Sequence, residues 1–355
     1  MESYKNCIKA SKIPHTIDNY YLNNLSFYNP ATSWGICGKN ISKYDMNNLS
    51  KESFCRLAFD SKTIFSPNQK NIFHPEILLE KGKSFGLGLN NLHNVGLDGK
   101  GINVAIIDWN FNYNNPEMIM SNGKNKILYY DNSKSSQKSC DGYHGKTVSS
   151  LLAGNSVGVS PNSNIYYFAI DDIPSDEDKI DIFNKIIELN KEGKNIQIIS
   201  MSSCLNDRSS EKKYANLLRE SGVELISSNT FFDNNFTYFD RNNYLDISDY
   251  NNFEIPVFLK QKIISECPYS LENKNELLKC YTTFTKGYVH VPCGGRTTLQ
   301  IEGNGYQYIA TSCASYSIPQ VAGLFAIAKQ LDPNISFKEF SIIAKEKSSL
   351  NKIRI

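Results

Sequence analysis

The sequence has no apolar run of the ~18 residues that a membrane-spanning helix needs, so no membrane association is expected. It has no Cys-x-x-Cys pair, and a structural zinc site is therefore not expected. Its nine cysteines (Cys7, Cys37, Cys55, Cys140, Cys204, Cys267, Cys280, Cys293 and Cys313) form an odd, scattered set. The opening residues Met1-Glu2-Ser3-Tyr4-Lys5-Asn6-Cys7 lack the apolar core of a secretion signal. Together these features point to free thiols in a reducing compartment, and the expected location is cytoplasmic. An excess of one charge is also missing. Thirty-eight Lys and Arg face 36 Asp and Glu, for a net charge of +2, too little to hold nucleic acid or an acidic membrane. Neither G-x-x-x-x-G-K-[ST] nor a G-x-G-x-x-G after a strand is present, which argues against a nucleotide-binding protein.

What is present is ordinary globular chemistry, with 40% hydrophobic and 21% charged residues in 355. Residues 1–83 are rich in Asn, Ser, Tyr and Lys, and carry only short hydrophobic pieces such as Tyr20-Tyr21-Leu22 and Phe54 to Phe59. They read as an N-terminal extension, either propeptide-like or accessory. Residues 84–355 read as the main domain. There, β-branched runs at Ile102 to Ile107, Ile165 to Ile170, Ile196 to Met201 and Val223 to Ile226 predict buried strands. Helical spacing over His144 to Ala153, Ile180 to Lys191 and Glu211 to Ser221 alternates with them. The implied fold class is α/β, a doubly wound parallel sheet with helices on both faces. An aromatic-rich insertion interrupts the alternation at 231–283. Beyond it come a strand at Tyr288 to Val291, a hairpin across Thr297 to Ile309, a long apolar helix over Ser315 to Leu331 and a shorter one over Ser336 to Lys347.

Open parallel sheets present functional groups at the carboxyl ends of their strands. Asp108 ends the first strand, Ser202 and Ser203 end the third, and Asn229 follows the fourth. His144 opens a helix in Tyr143-His144-Gly145-Lys146-Thr147-Val148, and Ser315 opens another in Ala314-Ser315-Tyr316-Ser317-Ile318-Pro319-Gln320-Val321-Ala322-Gly323. Taken singly, each has a bland reading as a helix cap, a turn residue or a solvated histidine. The small residues Ala322, Gly323 and Ala326 would let the serine helix pass close to its neighbours.

Taken together and in order, the motifs resemble those of the subtilisin-like serine peptidases, the subtilases. Val104-Ala105-Ile106-Ile107-Asp108 is similar to the aspartate motif, His144-Gly145-Lys146-Thr147-Val148 to the histidine motif, and Ser315 to Gly323 to the serine motif. The order Asp, His, Ser is the subtilisin order. The resemblance covers roughly residues 84–331 and implies a subtilisin-like fold. It implies that Ser315 is the nucleophile, His144 its base, Asp108 the orienting carboxylate and Asn229 an oxyanion donor. It also puts Ser202 in the substrate-binding strand, and Ser203, Cys204, Ser227 and Ser228 in the walls of the S1 pocket, where less bulky residues are usual. Ala314 in place of threonine, and Trp109-Asn110 after the aspartate, depart from the pattern.

Thr311-Ser312-Cys313-Ala314-Ser315 offers a second serine. Pro319 separates the two candidates, because proline is tolerated near a helix start and not two turns inside. Ser315 lies four residues before it and Ser312 seven, which favours Ser315. Gly154-Asn155-Ser156-Val157-Gly158 spells a nucleophile-elbow string, but a helix precedes it and a strand follows, the reverse of what that motif requires.

The expected activity is hydrolysis of peptide bonds by an intracellular serine endopeptidase acting on restricted peptide or protein substrates. No cofactor is required. Structural calcium stays open, although no D-x-[DN]-x-[DN]-G loop is present. The N-terminal segment is the candidate intramolecular restraint. The alternative is a catalytically weak or inactive subtilase-like scaffold that binds a peptide or a partner protein.

Overall fold

The computed structural model describes residues 36–43, 58–84, 86, 88–136, 143–241, 253–254, 287–300, 303–309 and 314–347. Ser312, Cys313, the Tyr20-Tyr21-Leu22 piece and most of the 231–283 insertion lie outside the described residues. In chain order the elements are β1 (Phe59–Asp60), α1 (Pro67–Phe73), α2 (Pro75–Lys83), α3 (Leu89–Asn94), β2 (Asn103–Trp109), β3 (Ile127–Lys134), α4 (Tyr143–Ala153), β4 (Asn164–Ile170), α5 (Asp176–Lys191), β5 (Ile196–Met201), α6 (Arg208–Glu220), β6 (Glu224–Ile226), α7 (Ser228–Asp233), β7 (Phe236–Arg241), β8 (Phe253–Glu254), β9 (Val289–Pro292), β10 (Arg296–Leu299), β11 (Tyr306–Ile309), α8 (Ala314–Leu331) and α9 (Phe337–Lys347). They fall into two units. One comprises Met1–Ser84, Phe239–Lys286 and Pro292–Cys313; the other comprises Phe85–Tyr238, Gly287–Val291 and Ala314–Ile355.

The second unit is built on a five-stranded parallel sheet in the order β3-β4-β2-β5-β6. Successive side chains of a strand point to opposite faces, and here both faces are covered. Ala105, Ile107, Tyr166, Phe168, Ile199 and Met201 join Ile182, Phe183 and Ile186 of α5 and Leu218 of α6 in one core cluster. Val104, Ile106 and Ile198 are buried on the other side, where α4 packs on β2 and α8 on β5. Continuous apolar runs, with no polar alternation, are what a sheet covered on both faces demands. The α/β doubly wound expectation therefore holds.

Two differences from the sequence reading have local causes. Helix α5 begins at Asp176, one turn before the apolar periodicity, because the Ser175 hydroxyl accepts the Asp178 N–H and three acidic residues follow in the first turn. Strand β3 carries only the short apolar piece Ile127-Leu128-Tyr129-Tyr130, because it is an edge strand whose second half is the polar Asp131-Asn132-Ser133-Lys134. The Gly154–Gly158 string is a tight turn between α4 and β4. A Cβ on Gly158 would sit 2.4 Å from the Gly154 nitrogen, so glycine there serves close backbone approach and not a nucleophile.

Lys126 precedes β3 and is wholly buried. Its ammonium donates to the carbonyl of Ala153, the last residue of α4, at 2.6 Å, where the helix dipole favours a cation. Burial nevertheless disfavours the charge and lowers its pKa to about 8, with Glu117 opposing the shift.

In the first unit, the end of the N-terminal segment is built into a sheet with residues far along the chain. Strand β1 pairs antiparallel with β11 (Phe59 opposite Tyr308, Asp60 opposite Gln307), and β11 pairs with β10 as the expected hairpin. Phe59 stacks on Tyr308 with ring centroids 5.3 Å apart. Helix α2 lies against β10. Thr297 donates its hydroxyl to the Leu79 carbonyl at 2.7 Å, and the buried Arg296 guanidinium donates to the Lys83 carbonyl at 3.1 Å. Gly82 permits this approach, since a Cβ there would lie 2.5 Å from the Thr297 hydroxyl oxygen.

Two outcomes are expected. A chain beginning at residue 85 would leave β11 with a bare edge and Arg296 and Thr297 uncovered. It should be aggregation-prone or unfold at a markedly lower temperature than the full chain, and equal melting temperatures would refute this. For Lys126, a depressed folded-state pKa means a destabilising contribution present below about pH 8 that fades as pH rises towards the unfolded value of 10.5. The unfolding free energy of the parent should therefore gain on that of Lys126→Met by about 3 kcal/mol between pH 7.5 and 10.5. A constant difference in denaturant titrations would contradict the assignment.

Candidate active site

The site forms where β2 and β5 end and α4 and α8 begin. Asp108 belongs to the face of β2 that also carries Val104 and Ile106, and α4 covers that face. The first turn of α4 comes unusually close. A Cβ on Gly145 would lie 2.1 Å from the Trp109 carbonyl oxygen and 2.2 Å from the Tyr167 hydroxyl, so only glycine lets the helix start there. Tyr167 itself donates its hydroxyl to that Trp109 carbonyl. Burial, with Asp108 and Tyr130 nearby, pushes its pKa well above the usual phenol value.

This approach brings His144 onto Asp108. The His144 Nδ1–H donates to Asp108 Oδ1 at 2.7 Å, and the same oxygen accepts the Trp109 N–H at 2.8 Å. Both side chains are buried. A carboxylate can only accept, so it fixes the proton on Nδ1 and leaves Nε2 of the neutral ring as an acceptor. Nε2 is buried and has no hydrogen-bond partner among the described residues. An unpaired buried acceptor costs about 1–3 kcal/mol, so each such exception calls for an explanation, a catalytic role among them. Trp109 and Tyr316 flank the ring, with centroids at 5.3 and 5.7 Å.

Ser315 lies in the first turn of α8, beside Tyr316, and is nearly buried. Its hydroxyl donates to the Ser202 carbonyl at 3.4 Å, and its own carbonyl accepts the Ser202 hydroxyl at 2.8 Å. No hydrogen bond joins Ser315 to His144. The structure thus unites Asp108 with His144, and holds Ser315 on the end of β5 next to them. Gly323 seats α8 against the turn before β4, since a Cβ there would lie 2.8 Å from Val159 Cβ. This contact is the physical counterpart of the small residues seen in the sequence.

The expected substrate walls are tied to each other. The Ser228 N–H donates to the Ser203 carbonyl at 2.9 Å. Asn229 is half-buried in α7, and its amide donates to the Leu205 carbonyl at 3.4 Å. Ser202, Ser203 and Cys204 are half-buried. The Ser203 hydroxyl has no partner among the described residues. Burial, aided by Glu211, raises the pKa of the Cys204 thiol. Ser227 does not line a cleft. It is fully enclosed and caps α7 by accepting the Thr230 N–H.

Glu211 is a residue that sequence reasoning missed. Only 1% exposed, it accepts the Leu205 N–H at 2.6 Å and the Ser227 hydroxyl at 2.5 Å, clamping the loops after β5 and β6. In the sequence it is one more acidic residue near a helix start, which carries no signal for a buried clamp.

Among the described residues, no group of three His, Cys, Asp or Glu side chains is gathered as a metal site, and no helix is long and apolar enough to cross a membrane. The Subtilase family model matches residues 99–230. No curated protein sequence matches the chain. Similar solved structures include a cold-adapted subtilisin-like serine proteinase, with 14% identity over 77% of this chain and 91% of that one at a TM-score of 0.48. They also include the prenylagaramide maturation protease PagA, with 16% identity over 71% and 83% at a TM-score of 0.44. The family match takes in Asp108, His144 and Asn229 and ends before Ser315. Over residues 99–230 the chain is thus similar to the Subtilase family, a likeness that supports a serine peptidase and agrees with the parallel α/β sheet.

Proposed function

We propose that the protein is a serine endopeptidase working through Asp108, His144 and Ser315 on a restricted set of peptide or protein substrates inside the cell. The observation that carries the reading is the buried Asp108–His144 hydrogen bond, which leaves an unpaired, water-excluded Nε2 beside the helix whose first turn carries Ser315. A serine hydroxyl is a weak nucleophile at neutral pH and needs such a base.

In the proposed step, the Ser315 hydroxyl turns from the Ser202 carbonyl to His144. Its oxygen bonds to the substrate carbonyl carbon while its proton passes to Nε2. The Asn229 amide swings from the Leu205 carbonyl to meet the developing oxyanion. Collapse breaks the C–N bond, and the Nε2 proton leaves with the amine. Water then repeats the sequence on the ester, releasing the acid and restoring Ser315. Asp108 stabilises the imidazolium throughout. Hydrolysis is redox-neutral and the proposed triad itself supplies nucleophile, base and acid, so the proposed mechanism calls on no redox or organic cofactor.

A second reading, a binding scaffold without activity, has one observation in its favour: the Ser315 hydroxyl is engaged by Ser202 and not by His144. A fluorophosphonate probe separates the two. Labelling of the full chain should be lost in Ser315→Ala, retained in Ser312→Ala, and reduced at least a thousandfold in His144→Ala. No labelling of the folded parent would favour the scaffold. Asn229→Ala should lower peptide turnover by about a hundredfold, a magnitude established on a subtilisin.

Substrate preference follows from the tied walls. A side chain lodged between two backbone segments needs roughly 7 Å, two contacts of about 3.5 Å each, whereas the Ser228 nitrogen and Ser203 oxygen are 2.9 Å apart. Cleavage after glycine or alanine is expected in a peptide-library profile. Free acceptance of Phe or Leu at P1 would contradict this.

A further inference from the structure

Pro319 lies inside α8, four residues after Ser315. In an α-helix the N–H of residue i donates to the carbonyl of residue i−4. Proline has no N–H, and its ring crowds that same carbonyl. The carbonyl deprived of its helical donor here is that of Ser315, in a nearly buried position where an unmet acceptor is costly. It is not left unmet, because the Ser202 hydroxyl donates to it at 2.8 Å.

The position of Ser202 gives this bond a consequence. In the β2–β5 register, Ile107 lies opposite Met201. Ser202 therefore follows β5 just as Asp108 follows Ile107 in β2. A hydroxyl anchored at the sheet edge that carries Asp108 thus holds the main chain of the helix that carries Ser315. An ordinary helix residue in place of Pro319 would direct that carbonyl along the helix axis and leave the main chain of Ser315 without this tie to the strand end.

We propose that Ser202 is a positioning residue whose hydroxyl replaces the helical donor that Pro319 removes, fixing the main chain of Ser315 to the strand end beside Asp108 and His144. This goes beyond the substrate-binding role implied for Ser202 by its place in the sequence, and it rests on the peptidase reading. Proline in the second turn of α8 is then a partner in the arrangement, since it frees the carbonyl for a tertiary bond.

The test uses the full-length chain, with the rate of covalent labelling by a fluorophosphonate as the readout and thermal unfolding measured in parallel. Ser202→Ala should slow labelling roughly tenfold, the loss of one well-made hydrogen bond, and Ser202→Thr should restore most of the rate. On a Pro319→Ala background, which regains the backbone N–H, the further change Ser202→Ala should cost less than about twofold. Equal slowing on both backgrounds, or no slowing in Ser202→Ala, would overturn the proposal. A folded parent that does not label at all overturns the peptidase reading instead. The Ser202–Pro319 coupling is then judged by melting temperature, where a Ser202→Ala loss undiminished on the Pro319→Ala background would sink it.

Discussion

Strand β2 is hydrogen-bonded to β4 on one edge and β5 on the other, and its side chains are buried on both faces. That double confinement is the constraint on which the site depends. A one-residue slip of a parallel strand would exchange its faces, sending Asp108 away from α4 and exposing a buried carboxylate to the apolar cluster around α5 and α6. The hydrophobic content of β2 thus fixes the direction of its one acid. The histidine can then reach that acid only because Gly145 lets α4 begin against the Trp109 carbonyl.

Around that frame, polar contacts hold the loops where apolar packing does not reach. Glu211 joins the segments after β5 and β6 from beneath, while the Ser228–Ser203 and Asn229–Leu205 bonds join them directly. Each of these groups is at least half-buried, so leaving any one unpaired would carry a desolvation cost. The same economy appears at the serine helix, where a proline and a hydroxyl exchange one helical bond for one tertiary bond.

In the first unit, the N-terminal segment has no long periodic stretch, yet its last part is not an appendage to that unit. β1 and α2 are too short to read as independent elements. They are stabilised by pairing with β11 and by the close contact of Gly82 with Thr297, partners more than 200 residues away. Sequence patterns report local periodicity, and long-range pairing of short elements leaves almost no trace in them.

The sequence by itself determined the order and kind of β2, β4, β5 and β6 and of α4, α5, α6 and α8, because the doubly covered centre of a parallel sheet needs unbroken β-branched runs with amphipathic helices between them, whereas the edge strand β3 left no such run. It also determined which residues could supply a carboxylate, an imidazole, a hydroxyl and an amide, since those stood where strands end and helices start. Only the tertiary structure decided which of these groups meet. Asp108 joins His144, Ser315 turns to Ser202, Ser227 withdraws into a helix cap, and Glu211 becomes a clamp. Those choices depend on distances between segments far apart in the chain, on how closely two backbones can pass, and on which buried polar atom finds a partner, none of which periodicity or composition encodes.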